Sequence, residues 1–239
     1  MKIIKMIVLV AALLAMVSSA SAQRNSQIEF YGGVAFPIAP DFFKEYTKVG
    51  LSGNLQYVVF PSPRLGITFN VGYERFSTDN DKFTNAFSEA ATGFTADYYV
   101  ENNFVDDNGD PITPGSDITA TAIRFGVGIR PYLTSPEAST QFFLLAQANY
   151  NIIKNDWSVT DLPFAGDPVT GIGILTADDK VLEDALGEND ENKFGFGGGA
   201  GLEIPAGSSF NIVLQGLFNV ILTEGESTSF IGVTAGVVF

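Results

Sequence analysis

Five charges interrupt stretches of the sequence that are otherwise apolar, small or amide-bearing: Glu29, Glu74, Arg124, Arg130 and Glu203. Three carboxylates and two guanidinium groups in such settings suit ion pairing, because an isolated buried charge is strongly unfavourable. They do not suit the usual catalytic relays. The chain has no His and no Cys, so neither a Ser–His or Asp–His relay nor a thiolate nucleophile can be built, and no His- or Cys-based metal site either. Asp106 and Asp107 are adjacent, and on an extended segment adjacent carboxylates point apart. The tract DDNGDP at 106–111 begins like a calcium loop, but Pro111 stands where an EF-hand needs Gly and no properly placed Glu follows. GFGGGAG at 195–201 lacks the strand–turn–helix context of a dinucleotide fingerprint. The residues point away from an enzyme, a metal site or a cofactor.

The elements that would position those five charges are strands. Eight segments alternate with period two, at about 27–36, 49–60, 65–76, 118–131, 140–153, 193–204, 208–222 and 228–239. Each is close to the roughly 9–11 residues that a tilted strand needs to cross a bilayer. Their connections are unequal. Short Pro-, Gly- and Ser-bearing turns (PSPR, LTSPEAS, AGS) fall on one side, and PIAPDFFKEYTK, two excursions of some forty residues and the short EGES fall on the other. Ordinary soluble domains rarely carry two connections that long, whereas outer-membrane barrels pair short turns with long outer loops.

The two faces of each strand differ in kind. Leu65, Ile67, Phe69, Val71 and Tyr73 oppose Thr68, Asn70 and Glu74; Phe194, Phe196, Ala200 and Leu202 oppose Gly195, Gly197, Gly199 and Gly201. A soluble barrel would need a charged exterior. Here the second face is Gly, Ser, Thr, Asn and Gln, which fills a narrow interior and makes a poor solvated surface. Apolar out and polar in is the pattern of a lipid-facing barrel, and lipid forces the sheet to close because every backbone group must be bonded. The expected fold is all-β: an eight-stranded antiparallel up-and-down transmembrane barrel. Tyr57, Tyr73, Phe76, Tyr132, Phe142, Tyr150 and Phe210 lie toward strand ends, as interfacial girdles do, although strands favour aromatics in any case.

On that fold the five charges face inward. Glu29, Glu203 and Arg130 fall near the short-turn end, Arg124 nearer mid-barrel and Glu74 toward the long loops. The expected arrangement is an internal Arg–Glu network closing a lumen just wide enough for side chains. A narrow channel gated by partner exchange is the alternative.

The amino terminus places Lys2 and Lys5 before an apolar run from Met6 to Val17, followed by SSASAQ. That is the plan of a secretory signal peptide, too short for a membrane helix, which needs roughly 20 residues. Cleavage is expected after Ala22, leaving a single barrel domain over 23–239 and 11 basic against 27 acidic residues. Such an acidic chain is not a nucleic-acid binder.

Signal, strands, unequal connections and the final GVTAGVVF resemble the eight-stranded outer-membrane β-barrel proteins of the OmpA and OmpX type, over the whole mature chain. The resemblance implies a location in the outer membrane of a Gram-negative cell and contact with its lipid and lipopolysaccharide. It implies that Phe239, with Val233 and Val237, forms the signal read by the outer-membrane assembly machinery. Enzymes on this architecture use a His base, which this chain lacks. Some relatives carry a peptidoglycan-binding domain after the barrel; this chain stops at the eighth strand, so that function is not transferred.

Residues 77–117 and 154–193 hold 19 of the 27 carboxylates. They read as a solvated, repulsive extracellular surface or as a binder of divalent cations bridging lipopolysaccharide. Each holds a helix signal, DNDKFTNAFSEAATG with Asp79 or Asn80 as cap and Gly93 as stop, and DDKVLEDALG. Those patches, with Phe42, Phe43, Phe94 and Trp157, are either a surface for an extracellular ligand or the loops' own small cores. The expected role is structural or surface-interacting, carried by the loops.

Overall fold

A computed structural model describes residues 26–106, 109–164, 173–177, 191–207, 210–223 and 225–239. The signal segment 1–22, the second helix signal at 178–187 and Asp107 of the DDNGDP tract lie outside the described residues. The strands are β1 (Ser26–Ala39), β2 (Gly50–Ser62), β3 (Leu65–Ser77), β4 (Gly115–Pro131), β5 (Gln141–Phe164), β6 (Gly173–Ala177), β7 (Glu191–Pro205), β8 (Asn211–Ile221) and β9 (Thr228–Val238). Helices α1 (Asp41–Tyr46), α2 (Asn80–Thr92) and α3 (Ala96–Glu101) sit in the connections at one end.

Neighbouring strands pair antiparallel in the order β4-β3-β2-β1-β9-β8-β7-β5, and β4 pairs β5 to complete the circle. Eight strands therefore form a closed barrel. The closing seam between first and last strands runs from Glu29↔Val238 through Val34↔Val233 to Phe36↔Ile231. β6 stands outside the ring, paired with the far end of β5.

Alternation fixes the faces. On β7, Phe194, Phe196, Gly198, Ala200, Leu202 and Ile204 point outward, while Gly195, Gly197, Gly199, Gly201 and Glu203 point inward. Elsewhere Phe30 is 51% exposed, Val127 49% and Leu214 41%, whereas Asn70 and Gln215 are buried. A wall of this kind is a poor match for water and a good one for hydrocarbon, and a ring of strands leaves no unpaired edge. The barrel is transmembrane.

Three details differ from the reading of the sequence. β5 runs 24 residues, about twice a membrane crossing, because it continues outward beside the start of β4 from Lys154↔Thr121 to Thr160↔Gly115. The loops are thus built partly of extended sheet. Phe76 and Tyr132 are not girdle residues: both are buried in the interior. Parity decides this, since Phe76 shares a face with Glu74 and Tyr132 with Arg130. α1 lies in a stretch read only as a connection, whereas α2 agrees with the reading: it begins after Asp79 and ends at Gly93, whose φ of 83° is the left-handed conformation that glycine adopts at low cost.

Candidate functional site

The interior is a stack of layers, and short inward residues make room for long ones. A Cβ at Gly126 would stand 2.6 Å from both Asn149 Oδ1 and Asn70 Nδ2. A methyl group at Gly201 would overlap the ring of Phe143. The inward glycines of β7 and β4 are thus the receiving surface for side chains from β3 and β5.

Near the short-turn end lies a cluster around Arg130 and Glu29, both wholly buried. β1 and β4 are not neighbours, so the pair spans the lumen. Arg130 Nη1 lies 2.6 Å from Glu29 Oε1 and Nη2 lies 2.7 Å from Oε2, a two-pronged geometry that fixes direction as well as charge. Gln56 Nε2, opposite Glu29 in the register, donates to Oε2 at 2.8 Å. The Tyr31 hydroxyl donates to Glu29 Oε2 and accepts from Arg130 Nη2 at 2.9 Å. The guanidinium carbon sits 4.3 Å from the centroid of the Phe143 ring, within cation–π range. Arg130 Nη1 also donates to the Tyr132 hydroxyl at 3.3 Å, and that hydroxyl donates to Glu203 Oε2 at 3.3 Å. Asn211 and Gln27 donate to Glu203 Oε1. Glu29, Arg130 and Glu203 are therefore one assembly.

Glu74 and Arg124 form a second, separate pair. Arg124 faces Gly72 across the β3–β4 register, and Glu74 lies two residues further on. A Cβ at Gly72 would stand 2.8 Å from Arg124 Nη2, so the glycine is what lets the guanidinium lie back along the wall. Arg124 Nη2 is 2.8 Å from Glu74 Oε1. Its Nη1 donates to Asn219 Oδ1 at 3.0 Å. Asn219 Oδ1 also accepts from Gln147, and Gln147 Oε1 accepts from Asn70 at 3.0 Å. This amide rung sits between the two ionic layers.

Apolar clusters close both ends of the stack. Tyr31, Tyr132, Phe143, Val213 and Val238 gather at the short-turn end, with Phe60 against them. Ala35, Phe76, Ile221 and Phe230 gather at the long-loop end, with Phe43 of α1 meeting Phe76 edge-on at a ring distance of 5.1 Å. The first cluster is interleaved with the Arg130 assembly, since Glu29 faces Val238 and Glu203 faces Val213 in the register; the second lies beyond Glu74 toward the long loops.

Of the assembly-signal residues, Val233 is 49% and Phe239 63% exposed on the outer wall. Phe239 exchanges backbone hydrogen bonds with Ile28 at 3.0 and 3.2 Å, and its ring meets Phe30 edge-on at 6.4 Å. In the outer connections Phe42 and Phe94 are exposed while Phe43 is packed into the mouth. Asp106 Oδ1 accepts from its own turn's Asp110 N–H at 2.8 Å.

The sequence reading did not single out Tyr31, Tyr132, Gln27, Gln56 or Asn211 as partners of the charges. The signal was available. Tyr31 and Tyr132 each follow a named charge by two residues, which puts them on its face.

Fold and lumen together define a closed transmembrane barrel of eight antiparallel strands with a side-chain-filled interior. No protein-family model matches the chain, and no curated protein matches it. Among solved structures it is similar to Neisserial surface protein A at 12% identity, over 89% of this chain and 94% of that one, with a TM-score of 0.43. It is similar to a major outer membrane protein from Thermus thermophilus at 12% identity, over 90% and 98%, with a TM-score of 0.46. Ail, the attachment invasion locus protein of Yersinia pestis, solved with the heparin analogue sucrose octasulfate, is 11% identical over 90% and 96%, with a TM-score of 0.40.

Proposed function

We propose that this is an exported outer-membrane barrel with a closed lumen, non-enzymatic, whose working part is its acidic extracellular loops. The observation that carries the closed lumen is the wholly buried, two-pronged Arg130–Glu29 pair spanning the barrel among packed aromatic side chains, with a second apolar cluster at the long-loop end. Moving an ion past it means separating a buried charge pair, a step of several kcal/mol per charge left unpaired in the interior. The ionic assembly is then a fastener, not a gate.

The loops supply the surface. Residues 77–117 and 154–193 give the outer face a strongly negative charge, which keeps neighbouring anionic lipopolysaccharide at a distance unless divalent cations bridge the two. On the outer wall, Val233, Val237 and Phe239 present the apolar edge that the assembly machinery reads. The short basic–apolar–small amino terminus, cut after Ala22, supports export.

Planar-bilayer recording of the purified barrel tests the closed lumen, with cold and boiled gel samples to show that the barrel is folded. The expected result is a heat-modifiable band and no steady current. A large steady conductance from folded protein would replace the plug with a narrow passive channel for ions or small solutes.

A further inference from the structure

Above the outer apolar cap the barrel mouth does not fill. A cavity of about 540 Å³ opens there, within the range typical of small-molecule sites. Its floor is Phe76, Phe230 and Ile221, with Phe43 of α1 forming one wall. Phe76 and Phe230 meet edge-on at 5.4 Å and pack with Ala35 and Ile221 into one buried cluster, which forms the bottom of the cavity. Its depth comes from the sequence of β4. Phe76 faces Ala120 across the register, and Glu74 faces Ala122; two alanines stand where larger side chains would fill the space.

The rim is different in kind. Glu191 and Glu226 lie along it, with Asn155, Thr223 and Thr228 between. Lys193 stands 3.6 Å from Glu191 and partly offsets it. Glu226 has no cation within ion-pair distance among the described residues, and it is exposed. Aromatic floor and carboxylate rim therefore ask for a ligand with an apolar body and a positively charged head.

We propose that the barrel mouth is a blind binding vestibule for small organic ammonium ions carrying an aromatic or aliphatic body. The body occupies the space over Phe76 and Phe230 and the ammonium group remains at the water boundary beside Glu226 and Glu191. Burial of the body supplies affinity, and the rim supplies the sign of charge that is accepted. The vestibule binds and does not conduct, since its floor is the outer cap of the lumen.

The test uses the full barrel in zwitterionic nanodiscs, with empty nanodiscs subtracted, and two probes of matched shape, 4-phenylbutylamine and 4-phenylbutyrate, measured by titration calorimetry. The amine is expected to bind saturably and at least about tenfold more tightly than the carboxylate. A120F, which fills the space over the floor, is expected to weaken the amine by about tenfold or more. E191Q/E226Q, altered only at the rim, is expected to bring the two probes within about threefold of each other. Cold and boiled gel mobility shows whether A120F is folded; the rim variant decides the matter if it is not. Absence of saturable amine binding by the native barrel, equal binding of both probes, or a rim variant that keeps the full preference would each overturn the proposal.

Discussion

Arg130 and Arg124 lie six residues apart on one inward face of β4, and they are held in different ways. Arg130 reaches across the lumen to a strand three places away, engages both oxygens of Glu29, and is enclosed by two tyrosines and the Phe143 ring. Arg124 lies along the wall, meets Glu74 on the neighbouring strand through one oxygen, and leans on an amide. Glu74 Oε2 has no hydrogen-bond partner among the described residues. The same residue type on the same strand thus makes an ionic cross-brace at one level and, at the other, an ion pair to its neighbour with only an amide bond across the ring to Asn219 of β8. The charge of the partner across the ring, more than reach or burial, separates them, since β1 and β8 are each three places from β4 and both guanidinium groups are almost wholly enclosed.

The largest effect should come from removing the cross-brace. Arg130→Met leaves Glu29 charged, buried and without its cation, and should cost about 3–5 kcal/mol in urea unfolding from lipid. Arg124→Met is expected to cost less, about 1–3 kcal/mol, because one charge-assisted contact and one amide bond are lost. Equal losses for the two would erase the distinction. A smaller, sharper test is Gly72→Ala, which pushes the far end of Arg124 and should cost about 1 kcal/mol. It should also weaken the Arg124–Glu74 coupling in a double-mutant cycle while leaving the Arg130–Glu29 coupling unchanged. Smallest of all is Gly216→Ala on the lipid face, where an added Cβ meets nothing within 4 Å; it should change stability by less than about 0.5 kcal/mol.

Outside the lumen, Phe239→Ala is expected to leave the folded barrel's stability nearly unchanged, because the ring is exposed, while lowering the yield of assembled protein in cells. Quantifying folded barrel by gel mobility in isolated membranes, beside the unfolding midpoint of what does assemble, separates the two. Normal yield would remove Phe239 from the assembly signal.

How much of this could be read from the sequence follows from periodicity. Period-two alternation in β2, β3, β7, β8 and β9 was unambiguous, so strand number and the side each face turns to were legible. Asn70, Gln215 and the β7 glycines followed directly. Partnership was not legible, because it depends on which strands face each other across the ring and on the register between them. Nothing local tells Arg130 that Glu29 lies opposite. Position near strand ends suggests a girdle for Phe76 and Tyr132, while parity with Glu74 and Arg130 turns both inward. The vestibule was also out of reach, since it exists where Phe76 meets Ala120, a cross-strand relation. The extension of β5 was hidden because its outer part alternates around polar and charged residues, which read as loop.

Wall and lumen both depend on the direction in which the apolar face points. In a Trp157→Phe background the chain has no other tryptophan, so single reporters are clean. Phe196→Trp and Leu214→Trp, each reconstituted into bilayers with brominated acyl chains, should be strongly quenched by the lipid and little affected by aqueous acrylamide. The native Trp157, half-buried on the outward extension of β5, should be little quenched by the brominated chains. Strong acrylamide quenching at positions 196 and 214, with none from brominated lipid, would contradict the inverted barrel.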